Sequence, residues 1–463
     1  MKRVWMLLCT TVLIIGNLLA QPKIEDELVN LFKQGKYLDL VNKVCREREK
    51  EYYKNAFMDY CLAYGYCKLN KPTLAQEWID HILDSYNSLS TKKRKELQSL
   101  KQSCTAPGAT AASTDEMIKF LSSMNPEGFK GNDAGVESKL GVPSLTDTVK
   151  EFDFEHLTFD SQNRKFTLRQ KQEALGYYNK LIAGQNFKVD TTAHFLVFYE
   201  GSATAIKNQM KQLEEYYDYY NQSFNLGKSN RLITIFYCTN RKDFDSVAHR
   251  IHKIPVPKST YGYASSVDLV MMGIASSSWL GALKHELFHL MIRSFIGDIP
   301  PWLDEGMACY FEASDLQGNR VTTYFSGSNY RFNLLQRMDI VISQVKREQK
   351  VEMKIPTVKQ FTNYNWPQFS GITGELMIKA SYHQSLGYAF VTYLNEKNLL
   401  GKTVEAFRNR SFVDTTAGAG QQGLIMLRLR SNDEILENVM KMNLDAIQQD
   451  FKQWCGQKGI DLR

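Results

Sequence analysis

The chain is 463 residues long, with hydrophobic residues at 43%, charged residues at 23% and a formal net charge of +7. That length exceeds what one hydrophobic core serves, so two or three domains are expected, and the composition excludes a disordered or fibrous protein. No long basic stripe accompanies the positive balance, because Glu348 interrupts Lys346, Arg347 and Lys350, so nucleic acid is not an expected partner.

Residues 1–20 read as a signal peptide. Lys2 and Arg3 form a positive start, Val4 to Ile15 an apolar stretch, and Leu18-Leu19-Ala20 a cleavage site before Gln21. Thr10, Thr11 and Asn17 make this a poor spanning helix, and Cys9 lies inside the apolar run instead of behind it, which argues against a lipoprotein signal. No later segment approaches the roughly 18 apolar residues of a span. The expectation is an exported chain, periplasmic or secreted, with no stable transmembrane segment after cleavage. Cys45, Cys61, Cys67, Cys104, Cys238, Cys309 and Cys455 would remain. Their scattered, odd-numbered set is neither a disulfide framework nor a CxxC motif, and leaves room for one or two bridges in an oxidising compartment.

Residues 21–104 read as helix after helix. Two copies of one pattern are offset by 34, with Phe32, Val41 and Cys45 aligning with Tyr66, Ala75 and Ile79. That period resembles tetratricopeptide repeats, which implies a helical-repeat domain able to hold a protein partner. Two copies are few for such a stack, and a plain pair of helical hairpins is the alternative. Residues 105–165 read as a linker and irregular segment, opening on the small, flexible run 105–114.

Residues 166–463 form the second expected domain. Helix is predicted over 166–184, ending at Gly184, followed by a strand at His194–Tyr199, an amphipathic helix at Ala203–Phe224 and a strand at Leu232–Tyr237. One further strand is predicted within Thr260–Met272. A helix capped by Ser276, Ser277 or Ser278 then carries apolar Leu280, Leu283, Leu287 and Leu290 and stops before Gly297. A second helix starts near Trp302. Beyond 330 the chain reads as mostly helical, with a long helix over 375–394 and a last amphipathic one over 444–454.

The helix before Gly297 spells His285-Glu286-Leu287-Phe288-His289. Histidines four apart project from one helical face, where both imidazoles reach one metal ion, while the adjacent Glu286 is placed to act as a general base. Glu305, on the following helix, supplies a third ligand. Two neutral imidazoles and one carboxylate are the donor set of a catalytic zinc site, which keeps a fourth position open; closed structural sites prefer four Cys or His ligands.

A metzincin would need Gly at 292 and His at 295, where Ile292 and Phe295 stand. The run Pro301-Trp302-Leu303-Asp304-Glu305-Gly306-Met307-Ala308 instead resembles the W-L-x-E-G-x-A element of gluzincin, peptidase MA-like domains. His194-Phe195 resembles the strand that commonly begins these domains, and Ala380-Ser381-Tyr382-His383-Gln384-Ser385 the segment opening their long helix. The resemblance covers roughly 186–458. It implies an α+β, zincin-like fold: a small mixed sheet over an active-site helix, closed by a helical C-terminal lobe. It implies Zn2+ held by His285, His289 and Glu305, Glu286 as the base, and a peptide or protein substrate hydrolysed at an amide.

Tyr382 and His383 are the candidates for steadying an oxyanion, although Ile378, Tyr382, Leu386 and Phe390 also trace one face of a helix as a core stripe would. Tyr261 and Tyr263 either flank a substrate laid along their strand or serve simply as β-formers. In thermolysin-like gluzincins an Asp four residues after the Glu ligand orients a histidine. Cys309 stands there, leaving Glu312 as a substitute or, more simply, as a solvent-facing side chain. The alternative function is a helical-repeat binding scaffold carrying a catalytically silent zincin domain, against which the intact Glu286 argues.

Overall fold

The computed structural model describes residues 24–49, 56–85, 91–105, 168–226, 233–252, 262–265, 269–274, 279–296, 299–338, 355–370, 377–414 and 423–462. The expected signal peptide, nearly all of the 105–165 segment, the serines proposed as a helix cap and Tyr261 lie outside these residues. The protein is a mixed α+β chain, mostly helical, with a five-stranded sheet and a separate set of N-terminal helices. Among the described residues no helix is long and apolar enough to cross a membrane.

The N-terminal helices are α1 (Ile24–Lys33), α2 (Tyr37–Glu49), α3 (Ala56–Lys68), α4 (Pro72–Ser85) and α5 (Thr91–Thr105). Their buried residues follow the 34-residue offset read from sequence: Leu40, Val41, Val44 and Cys45 correspond to Leu74, Ala75, Trp78 and Ile79. The turns between helices match at one residue more. Gly35 and Asn70 both adopt positive φ, and Lys36 and Lys71 bond back to Leu31 and Tyr66 in the same way. A disulfide joins Cys67 on α3 to Cys104 on α5, holding the last helix against the array.

After α6 (Leu168–Leu181) come β1 (Lys188–Thr191), β2 (Phe195–Tyr199), α7 (Ala203–Ser223), β3 (Ile233–Cys238), α8 (Arg241–His252), β4 (Gly262–Ser265) and β5 (Val270–Ile274). Their order is β1-β2-β3-β5-β4, with β2, β3 and β5 parallel and both outer strands antiparallel to their neighbours. The single strand expected within 260–272 is therefore a pair. Leu269 takes positive φ where the chain enters β5, a backbone state that no alternation of side chains announces. Because side chains alternate across a strand, the sheet has two apolar faces. Phe195, Val197, Ile235 and Met271 face the large core, while Leu196, Phe198, Phe236 and Met272 face a smaller one under α6 and α8.

Against the first face lies α9 (Trp279–Phe295), and across it α10 (Pro301–Glu312), with Pro301 at its first turn where no backbone donor is missed. The helical lobe adds β6 (Ser314–Gln317), β7 (Arg320–Thr323), α11 (Tyr330–Gln336), α12 (Val358–Thr362), α13 (Trp366–Ser370), α14 (Met377–Glu396) and α15 (Leu400–Arg408). It ends with β8 (Ser411–Val413), β9 (Leu427–Leu429), α16 (Asn432–Met440) and α17 (Leu444–Gln457). The β6–β7 and β8–β9 pairs have strands of only 4 and 3 residues, too short for alternation to announce them, and were not expected.

Two glycines set how close α10 and α14 come. A Cβ on Gly306 would sit 2.5 Å from the Gly387 carbonyl oxygen, and one on Gly387 would sit 2.8 Å from that of Trp302. Neither position accepts a side chain without the helices parting. This tight crossing brings α14 onto the turn of α10 that carries Glu305.

Candidate metal centre

His285 and His289 are one helical turn apart on α9, with ring centroids 4.7 Å apart. Glu305 reaches them from α10. Its Oε2 lies 3.5 Å from His285 Nε2 and its Oε1 lies 3.6 Å from His289 Nε2. Both separations exceed a good hydrogen bond. They match instead two ligand atoms on one tetrahedral zinc, which at bond lengths of about 2.1 Å stand about 3.4 Å apart. His285, His289 and Glu305 thus present three donor atoms within 4.8 Å of one another, and the donor set fits zinc.

The outer nitrogens of both rings are held by carboxylates. His289 Nδ1 donates to Asp304 Oδ1 at 2.7 Å, and Arg293 Nε donates to Asp304 Oδ2 at 2.7 Å. His285 Nδ1 donates to Glu312 Oε2 at 3.1 Å, and that oxygen also accepts from Arg331 at 2.7 Å. A carboxylate at Nδ1 fixes the orientation of each ring and turns its Nε2 towards the point where a metal would sit. Arg331 continues to Gln384 Oε1 at 3.2 Å, and Gln384 Nε2 donates to Glu305 Oε2 at 2.9 Å. A chain of bonds therefore runs from the back of one ligand, His285, to a third ligand, Glu305.

Charges here are strongly coupled. Burial works against ionising Glu305, but His289 and His285 outweigh it and hold the carboxyl far below its ordinary range. Asp304 is likewise lowered, through Arg293 and His289, against its burial. Burial opposes a proton on His285, yet its contacts with Cys309, Glu305 and Glu312 raise its pKa well above the usual imidazole value. Glu286 behaves oppositely: burial lifts its pKa, against the pull of His285 and His289. Its carboxylate lies beside β4, where a Cβ on Gly262 would stand 3.8 Å from Glu286 Oε1. Strand β4 is an edge of the sheet.

A second cluster, His285, Cys309 and Glu312, also has metal-like spacing. The Arg331 guanidinium already neutralises Glu312 there, so this cluster is better suited to supporting His285 than to holding a cation.

The structure brings His285, Glu286, His289 and Glu305 together. Tyr382 and His383 it places in packing. Helix positions advance about 100° per residue, so with Gln384 turned to Glu305 the two preceding side chains face other ways. Tyr382 is 1% exposed, its hydroxyl meets no hydrogen-bond partner among the described residues, and burial raises its pKa. His383 Nδ1 donates to the Phe369 carbonyl at 2.8 Å, with its ring among Tyr364, Phe369 and Phe361. Tyr263 turns to the far face of the sheet, its hydroxyl 2.6 Å from His252 Nδ1, so the β-former account holds for it.

Glu312 stands in the histidine-orienting position: its side chain stays partly exposed, but its carboxylate accepts from His285 Nδ1 and from Arg331. Asp304, Arg293, Arg331 and Gln384 were missed by sequence reasoning. A signal existed for the first two: Arg293 is four residues after His289, and Asp304 adjoins Glu305.

The sequence matches no protein-family model, and no curated protein aligns with it.

Proposed function

We propose that this chain is an exported, zinc-dependent metallopeptidase with a gluzincin, zincin-like domain behind a tetratricopeptide-like helical array. The observation that carries the reading is the disposition of Glu305, each of whose oxygens faces one imidazole Nε2 while both Nδ1 atoms are held from behind. His285, His289 and Glu305 would hold the metal. When bound, zinc supplies a Lewis acid that acidifies water and polarises a substrate carbonyl. Glu286 accepts the proton of the attacking water and delivers it to the leaving amide nitrogen; its upward-shifted pKa suits a group that must take and return a proton near neutral pH. An extended peptide laid along β4 by main-chain pairing would bring its scissile bond over Glu286. The Cys67–Cys104 disulfide favours an oxidising compartment and so supports export.

The test is a mixed peptide library incubated with the purified chain, with and without a chelator, beside the variant Glu286→Gln. Wild type should cleave, the chelator should abolish cleavage, and Glu286→Gln should bind zinc one-to-one yet lose at least about a hundredfold in turnover. Zinc binding with no cleavage in either protein would leave the silent scaffold as the reading.

A further inference from the structure

The stretch 423–429 of the C-terminal lobe lies along the N-terminal helices in a pattern of main-chain contacts. The Asn42 side chain on α2 donates to the Gly423 carbonyl at 2.8 Å and accepts from the Ile425 amide at 3.0 Å. Tyr66 on α3 does the same one step on: its hydroxyl donates to the Ile425 carbonyl at 2.9 Å and accepts from the Leu427 amide at 2.8 Å. On α4, Trp78 Nε1 donates to the Leu427 carbonyl at 2.9 Å, and Glu77 accepts from the Leu429 amide and pairs with Arg428. Leu427 is 5% exposed within the core of the helical array.

The parity of these bonds is what gives them meaning. Odd positions 423, 425, 427 and 429 bond to the helices. Even positions turn the other way: Met426 O accepts from Asp414 N, Arg430 N donates to Arg410 O, and Arg428 sits opposite Phe412 in β8. This is the alternation of a strand bonded on both edges. On one edge the partner is β8; on the other, side chains of three helices stand where a third strand would be. Every named contact on that edge except the Arg428 pair is to main chain, so the helices recognise an extended backbone more than a particular sequence. The Leu427 pocket adds a preference for an aliphatic side chain.

We propose that the α2–α4 face is a peptide-binding groove for an extended strand, and that the protein's own segment 423–429 is its resident ligand. The helical array is then a receptor already filled in cis, clamping the C-terminal lobe. A separate protein can use the groove only as another extended peptide that displaces this segment. The proposal stands independently of the metal centre.

The experiment uses the full chain and a fluorescein-labelled synthetic peptide of residues 423–431. In the variant Leu427→Asp a carboxylate must leave the apolar pocket, so the resident segment is expelled and the groove opened. The labelled peptide should bind this variant, by fluorescence polarisation, at least about tenfold more tightly than wild type. It should lose that binding when Asn42→Ala and Tyr66→Phe are added. Absence of peptide binding to a folded Leu427→Asp chain, or equal binding to wild type, would overturn the proposal. A second measurement covers a Leu427→Asp chain that does not fold. In the otherwise wild-type chain carrying Asn42→Ala and Tyr66→Phe, hydrogen exchange of the Ile425 and Leu427 amides should accelerate by about fivefold or more. Amides of β2 and β3 should keep their rates; unchanged exchange at 425 and 427 would equally refute a groove that reads this backbone.

Discussion

The two histidines are supported by the same three-part device, imidazole to carboxylate to guanidinium, but in different surroundings. Behind His289, Asp304 has a side-chain exposure of 2%, and Arg293 lies over the Trp366 ring at 5.3 Å. Behind His285, the Glu312 side chain is 34% exposed, and Arg331 divides its donors between Glu312 and Gln384. The buried arm gains strength from its low-dielectric surroundings and has little tolerance for losing a member. The open arm is weaker singly, yet through Gln384 it also reaches Glu305, so its work is spread over two ligands.

The sharpest way to break this comparison is to delete the carboxylate on the buried side. Asp304→Ala removes the buried carboxylate to which both Arg293 and His289 donate, which should cost about 2 to 3 kcal/mol of stability. It should also weaken zinc binding by about a hundredfold, the upper end for a partner of a metal-bound histidine. Urea unfolding of the metal-free protein and competition with a chromophoric chelator measure the two losses. Equal effects from Asp304→Ala and Glu312→Ala would show that burial does not distinguish the arms.

Glu312→Gln should act more gently, lowering zinc affinity by about tenfold while the chain stays folded. It also carries a pH signature. Arg331 and His285 hold the Glu312 carboxyl at about 2, below its ordinary 4.5, against its burial. A carboxylate with a lowered pKa contributes stability that is complete above the unfolded value and is lost as pH falls through the folded one. Metal-free wild type should therefore lose stability between about pH 4.5 and pH 2 more steeply than Glu312→Gln, in which this contribution is absent at every pH. Parallel curves from chemical denaturation across that window would contradict the assignment.

Much of this centre was legible in the chain because it is local. His285 and His289 share a helix face by their spacing, and Glu305, Cys309 and Glu312 recur at four and three residues along the next helix, so Glu312 had to fall on the same side as the ligand. What stayed hidden depends on distant encounters. Gln384 meets Glu305 across 79 residues, by way of a helix crossing that only Gly306 and Gly387 permit. The stripe of Tyr382, Leu386 and Phe390 already pointed Tyr382 towards packing, but no periodicity encodes which turn of α14 faces α10 and so that Gln384 is the residue meeting Glu305. The docking of 423–429 is more remote still, with Asn42 and Gly423 381 residues apart. The β4–β5 pair escaped for a different reason: its chain reversal leaves no clear mark in the order of apolar residues.

The smallest expected effect tests whether the open arm acts as a linked unit. Arg331→Lys keeps a positive charge beside Glu312, so charge alone predicts no change. The three donors of a lysine radiate from one nitrogen, however, and lack the fixed fork by which Nη1 and Nη2 of Arg331 reach Gln384 and Glu312 at once, so one of the two bonds should be lost. Losing one such bond is worth about 1 kcal/mol, or about fivefold in zinc affinity. Gln384→Ala should lose somewhat more, because it removes both the bond from Arg331 and Gln384's own bond to Glu305. The double variant should then lose little more than Gln384→Ala alone, because the bond that Arg331→Lys breaks is already gone. Zinc titrations of the four proteins decide it: multiplicative losses would mean that Arg331 and Gln384 support His285 and Glu305 separately, and a shared loss would mean that one bond network sets the posture of both ligands.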